Sequence, residues 1–189
     1  MNYIYLKGHH GTDLDSSEEI LKSNYQKSIG DEHWLGDGVY FFINGLSSDT
    51  QNLAKEWAKA QSWDNENKKY KYTNIVVLES EIQINKENLL DLTQEEGIKI
   101  LIYLVDRYLN VLRKTGKGLD FYDGLLINMA RDKGILPIDI VKGNFYIKFE
   151  KERKYKINLR TCNCTICVVF DPTKNIISTK KKQVEPINL

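Results

Sequence analysis

Trp34-Leu35-Gly36-Asp37-Gly38-Val39-Tyr40-Phe41-Phe42 is the stretch on which the fold turns, and upstream of it His10-Gly11-Thr12 stands behind the apolar segment Tyr3-Ile4-Tyr5-Leu6. A Gly-x-Gly pair running into apolar and aromatic residues reads as a loop entering a buried strand, here Val39 to Ile43. His10-Gly11-Thr12 reads as the C-terminal end of a short strand over Tyr3 to Leu6. Either segment alone has an ordinary structural reading; their order and separation carry the information.

Working outward, Asp15-Ser16-Ser17-Glu18-Glu19 supplies cap and first-turn acids for a helix bearing Ile20 and Leu21. Lys27 to Gly38 mixes glycine, charge and Trp34 and reads as a partly ordered lid. Gly45-Leu46-Ser47-Ser48-Asp49 caps a helix over Thr50 to Trp63, where Leu53, Trp57 and Ala60 or Gln61 recur at three- and four-residue spacing and turn Trp57 inward. Asp64 to Lys71 reads as a loop or helix end, Thr73 to Ile84 as a central strand with Glu79 and Glu81 on one face, and Asn85 to Leu92 as a connection.

Thr93-Gln94-Glu95-Glu96 opens the longest helix, to about Lys114, and Thr115-Gly116-Lys117-Gly118 ends it. A further helix is expected over Asp120 to Arg131. Gly143 to Phe149, Lys154 to Leu159 and Cys164 to Phe170 read as strands, Asp171 to Asn175 as a turn, and Lys180-Lys181-Lys182 as a solvated end.

Composition bounds the function. A chain of 189 residues fits one domain, 1–189, and can bury about 70% of its unfolded surface without disulfides. The net charge of +1 gives no general attraction to nucleic acid or membrane. The N-terminus lacks a charged stretch followed by an apolar region, and Ile98 to Leu112 is interrupted by Lys99, Asp106 and Arg107, so a cytoplasmic protein without a membrane partner is expected. Cys162, Cys164 and Cys167 are odd in number, which suits a reducing compartment. Zinc would need a fourth ligand, yet His9, His10 and His33 lie at the other end of the chain. Strand alternation sets Cys162 and Cys164 with Ile166 and Val168 and turns Cys167 away, so packed thiols are the preferred reading over a zinc-dependent nucleic-acid-binding protein, and no metal is expected.

Three segments together resemble the ADP-ribosyltransferase superfamily, in its poly(ADP-ribose)-polymerase-like branch with a histidine-tyrosine-glutamate signature. They are the strand ending His10-Gly11-Thr12, the run Gly36-Asp37-Gly38-Val39-Tyr40-Phe41, and Ala54-Lys55-Glu56-Trp57-Ala58 after a loop bearing Ser47 and Ser48. The resemblance covers residues 3–60 and fades beyond 70. It implies an α+β fold, a split pair of antiparallel β-sheets around an NAD cleft with flanking helices, here with a long extra helix near 94–114. It implies that NAD is the substrate: His10 meets a ribose hydroxyl, the Gly11 backbone holds the nicotinamide amide beside Thr12 and Gly38, Tyr40 and Trp57 bracket the ring, and Ser47 or Ser48 reaches its carboxamide.

The signature glutamate is missing from the late strand. Cys164-Thr165-Ile166-Cys167-Val168-Val169 offers Thr165 at the aligned position, with Glu79 or Glu81 as substitutes, and Arg160 as a candidate for the pyrophosphate. The resemblance then implies a mono-ADP-ribosyltransferase with catalytic His10, Tyr40, Trp57 and Thr165, acting on protein, RNA or DNA as a bacterial toxin or antiphage effector with an antitoxin partner. The alternative is a catalytically inactive NAD- or partner-binding module of the same fold. Lys148, Lys151, Arg153, Lys154 and Lys156, interleaved with Tyr146, Phe149 and Tyr155, suit a phosphate backbone, but Glu150 and Glu152 favour an ordinary exposed hairpin.

Overall fold

The first strand, β1 (Tyr3–Asp13), does not stop at Leu6: it carries His10-Gly11-Thr12 inside it. Asp13 then caps α1 (Leu14–Lys22), its Oδ1 accepting the Ser16 N–H at 2.9 Å, two residues before the expected cap. The structure, a computed structural model, describes residues 2–30, 33–114 and 123–187. It continues with β2 (Val39–Ile43), α2 (Thr50–Ser62), the short hairpin β3 (Trp63–Asp64) and β4 (Lys69–Tyr70), and the long β5 (Asn74–Asn85). A 3-10 turn, Lys86–Asn88, leads to β6 (Leu89–Asp91), α3 (Glu95–Lys114), α4 (Asp123–Asp132) and β7 (Ile140–Phe145). Then come α5 (Glu150–Lys154), β8 (Cys164–Val169), α6 (Pro172–Asn175) and β9 (Ile176–Pro186).

The molecule is a mixed α+β fold with a large sheet, a small antiparallel sheet and several helices. The large sheet has seven strands in the order β6-β7-β8-β2-β1-β5-β9, antiparallel except for β6–β7. Where a split pair of sheets is expected, the strands form one sheet with a thin seam: β1 meets β2 only at Gly8–Ile43 and His9–Phe42, whereas β1 and β5 pair along the whole of β1.

Alternation along the strands builds two cores. Phe42, Ala54, Val77, Ile166 and Val168 share one face, and Phe41, Leu78, Ile82, Cys167 and Val169 the other. β5 is buried on both faces over Ile75–Ser80, which is why its sequence reads as a continuous apolar run before it alternates. α3 and α4 pack through Leu104, Tyr108, Leu112, Leu126 and Ala130. The expected helix end at 115–118 and the first residues of the expected helix 120–131 lie outside the described residues.

Two late strand expectations are corrected. Lys154 to Leu159 is no strand: Glu152 accepts the Phe149 N–H at 3.1 Å, α5 follows, and Lys156 then takes φ +53°. Lys180-Lys181-Lys182 is no solvated tail but part of β9, the sheet edge beside β5. Glu79, only 6% exposed, collects Lys180 Nζ at 3.0 Å, Lys182 Nζ at 3.5 Å, Lys7 Nζ at 3.9 Å and His9 Nε2 at 3.3 Å. Burial opposes its charge, yet the lysines prevail and hold the carboxyl below its ordinary range.

Gly11 seats α2 on the sheet. A Cβ there would stand 1.9 Å from the Ala54 carbonyl oxygen and 3.0 Å from Ala58 Cβ, so the glycine answers to helix packing before any ligand. Gly11→Ala is therefore expected to lower unfolding stability by about 1–3 kcal/mol without any ligand present; an unchanged urea midpoint would show that α2 does not rest there.

Candidate functional site

Past the His9–Phe42 pair, β1 runs on to Asp13 while β2 reaches back only to Val39, and no pairing joins them. A cavity of about 620 Å3 occupies this wedge. His10 and Gly11 border it from β1, Val39 to Phe42 from β2, Trp57 and Gln61 from α2, Gln26, Ser28, His33, Trp34 and Gly38 from the α1–β2 connection, and Ile147 and Ile166 from the late chain. A second depression of about 490 Å3 lies by Arg107, Tyr108 and Val111 of α3 and Lys133 and Ile135 of the segment after α4. It holds cations and apolar residues but no acid–base pair, so the wedge is the chemical candidate.

His10 reaches across the wedge. Its Nδ1 lies 2.9 Å from the Tyr40 carbonyl oxygen, which only accepts, so Nδ1 carries the hydrogen and Nε2 keeps its lone pair. The ring packs edge-on against Tyr25 at 5.3 Å and tilts on Phe41 at 5.8 Å. Burial pushes its pKa below 6.5, against a smaller upward pull from the Tyr40 carbonyl, so the imidazole is neutral at neutral pH.

Tyr40 faces the cavity with its ring and spends its hydroxyl elsewhere. The hydroxyl donates to the Gly36 carbonyl at 2.7 Å and accepts the Leu35 N–H at 3.0 Å, and burial pushes its pKa up to about 12. Gly36 turns the chain at φ +96°, a conformation glycine adopts freely. Trp57 is half-buried, with the Arg153 guanidinium 5.4 Å from its ring centre; Arg153 Nε and Nη1 are tied to the Lys148 and Ala60 carbonyls at 2.8 and 3.1 Å.

His10, Gly11, Gly38, Tyr40 and Trp57 thus share one cavity, and the remaining expected residues do not border it. Thr12 Oγ1 donates to Asp13 at 3.4 Å, and Ser47 and Ser48 sit in the loop before α2, where Ser47 Oγ accepts the Asp49 N–H at 3.2 Å. Thr165 is buried: its Oγ1 donates to Asn144 Oδ1 at 2.7 Å and accepts the Leu46 N–H at 2.9 Å. Its neighbour Ile166 borders the cavity, because a one-residue step along a strand reverses the face. Glu79 is committed to lysines, Glu81 accepts from Ser178 at 3.2 Å, and Arg160 is exposed and does not line the cavity, whereas Arg153 lies over the ring of the lining Trp57. Among the described residues no carboxylate borders the cavity.

Sequence reasoning passed over Ser28 and treated His33 only as a distant zinc candidate. At the cavity wall His33 sets its Nε2 2.9 Å from Ser28 Oγ, and behind it, off the wall, its Nδ1 lies 3.3 Å from Asp37 Oδ1. The signal for this trio was their crowding into one lid-like loop. The cysteines turn apart, Cys164 into one core and Cys167 into the other, with burial pushing both thiols up to about 12. Among the described residues no helix is long and apolar enough to cross a membrane.

No protein-family model matches the chain. It is 28% identical over 174 residues to the uncharacterized protein MJ0359 of Methanocaldococcus jannaschii, an alignment that covers 82% of this chain and 76% of that one.

Two outcomes check these assignments. The folded His10 titrates below its ordinary 6.5, so its contribution to stability is full above that value and lost as the pH falls through it. His10→Gln is expected to flatten part of the fall in urea midpoint between pH 7 and 5; an unaltered slope would mean the ring is not neutralised by burial. Thr165→Val leaves the Leu46 N–H and Asn144 amide without their partner and is expected to lower stability by about 1–3 kcal/mol. Ligand affinity at the cavity should be unchanged, and a large affinity loss in a folded variant would return Thr165 to the site.

Proposed function

We propose that the wedge between β1 and β2 binds NAD and that the chain is a mono-ADP-ribosyltransferase, moving one ADP-ribose to a macromolecular acceptor with release of nicotinamide. The observation that carries this reading is the meeting of His10, Gly11, Tyr40 and Trp57, from three separate segments, around one cavity. Its volume falls in the range of small-molecule sites. On this reading the divergence of β1 and β2 is the split of an ADP-ribosyltransferase-like sheet, and the extra helix α3 lies outside the site.

The chemistry of the wall fits the substrate. A neutral His10 Nε2 accepts from a ribose hydroxyl, and the unpaired edge of β1 after His9 offers backbone groups to a planar amide, since alternate residues of an antiparallel strand turn both N–H and C=O to the same side. The π faces of Tyr40 and Trp57 suit the cationic nicotinamide ring. Breaking the glycosidic bond leaves positive charge on the ribose, and no carboxylate of the described wall meets it. That absence favours single transfer over elongation. It also favours a second reading, a catalytically inactive module that keeps NAD or a partner in the same cavity. A toxin or antiphage role with an antitoxin partner follows from the resemblance alone.

Purified chain incubated with NAD labelled in its ADP-ribose portion and a cell lysate is expected to transfer label, and separate protease and nuclease digestions then assign the acceptor. His10→Ala should reduce transfer by at least tenfold, about the worth of one lost hydrogen bond. NAD binding without transfer would select the inactive module; absence of binding would overturn both readings.

A further inference from the structure

The connection from α1 to β2 holds an arrangement that the NAD reading does not use. Asp37 Oδ1 accepts from the Gly30 N–H at 3.1 Å and lies 3.3 Å from His33 Nδ1, while His33 Nε2 lies 2.9 Å from Ser28 Oγ. A carboxylate oxygen only accepts here, so the hydrogen sits on His33 Nδ1 and Nε2 presents its lone pair to the serine hydroxyl. This is the protonation pattern of a base poised to take a hydroxyl proton.

Each member is fixed by a different element. The backbones of Ser28 and Gly38 exchange two hydrogen bonds at 3.0 Å, which ties the serine to the start of β2. The Asp37 N–H donates to Asn128 Oδ1 at 3.0 Å, which ties the carboxylate to α4. The His33 ring lies 5.9 Å from the ring of Tyr40, and Ser28 and His33 both border the cavity. Ser28 is exposed and so accessible to a substrate. Among the described residues no carboxylate borders the cavity, and the His33 imidazole is the lining base that lies within hydrogen-bond reach of a serine hydroxyl.

We propose that Ser28, His33 and Asp37 form a nucleophile relay and that, on the NAD reading above, the acceptor class is a hydroxyl, with Ser28 itself modified in cis. Ser28 Oγ bonds to the anomeric carbon of the ADP-ribosyl group as the carbon–nitrogen bond to nicotinamide breaks. The bonding pair leaves with nicotinamide, which departs neutral. The serine proton passes to His33 Nε2, and Asp37 offsets the imidazolium charge. His33 is the base, Ser28 the acceptor and Asp37 a positioning residue.

The test incubates the full chain with NAD, measures free nicotinamide, records the intact protein mass and maps the modified peptide. Wild type is expected to gain one ADP-ribose on Ser28 in a linkage resistant to neutral hydroxylamine, as an oxygen glycoside is and a carboxylate ester is not. Ser28→Ala removes that label, Ser28→Thr restores part of it, and His33→Gln slows it about a hundredfold with nicotinamide release still measurable. Asp37→Asn slows labelling as well, and supplies the same comparison should His33→Gln fail to fold. Nicotinamide release with Ser28 unmodified, or label retained undiminished in Ser28→Ala, overturns the relay and leaves the NAD reading standing. No nicotinamide release from any form overturns both.

Discussion

One hydrogen bond holds the site together: the His10 imidazole to the Tyr40 carbonyl, reaching across strands that have ceased to pair. Adjacent antiparallel strands gain a backbone bond at nearly every residue they share, so two such strands joined at two positions would be expected to zip further. They stay apart because each is committed elsewhere. β1 is paired with β5 along its whole length and pressed under α2 at Gly11, where no side chain fits. β2 is paired with β8 along its whole length, and Ser28 occupies the backbone of Gly38 at its start. Within the gap the histidine ring supplies a donor that satisfies one carbonyl of the open edge without closing it.

The same commitments explain which tyrosine functions are excluded. A phenol that donates to Gly36, accepts from Leu35 and is pushed to about 12 is a structural strut, so Tyr40 offers a substrate only its ring face. Trp57 is held comparably from behind, through Arg153, whose guanidinium is itself fixed to two carbonyls. Both aromatic walls are therefore set before any ligand arrives, which lowers the entropy of ordering them on binding. The aromatic pair is preorganised by polar contacts that face away from the cavity.

Much of this was legible in the sequence, and the losses have physical causes. β2 was readable to the residue because glycine on one side and a run of β-branched and aromatic residues on the other fix a strand's bounds. α2 and α3 followed from three- and four-residue spacing and lie within a residue or two of the expected bounds. β1 was read too short because Gly8-His9-His10-Gly11 is a poor local strand former; pairing with β5 and glycine's fit under α2 override the propensity. The sequence does not settle which side Thr165 faces, because periodicity gives alternation but not its phase, which packing against β2 and β7 decides. The lysine run looks like a tail in sequence because Glu79, with which Lys180 and Lys182 pair on the sheet, lies about a hundred residues away along the chain. Ser28, His33 and Asp37 converge through a loop whose course depends on Asn128 of α4, information that no local window contains.

The charge distribution around the sheet separates the two histidines that the sequence sets side by side. His9 faces a carboxylate and three lysines, its Nδ1 held 2.9 Å from Thr50 Oγ1 and its Nε2 beside Glu79. His10 faces aromatic rings and a carbonyl. Burial lowers the pKa of both; Glu79 pulls His9 partly back up, whereas the upward pull on His10 comes from the Tyr40 carbonyl. A strand places neighbours on opposite faces, so one step along β1 divides a salt-linked face of the sheet from a pocket wall of aromatic and carbonyl groups. On the proposed NAD reading, an ionised group on the wall would meet the dinucleotide's own charges at low dielectric, where a mismatch is costly. On that proposal, a described wall without carboxylates leaves recognition to hydrogen-bond direction and π faces, and leaves the proposed proton transfer to the partly exposed His33, where water still screens the charge that forms.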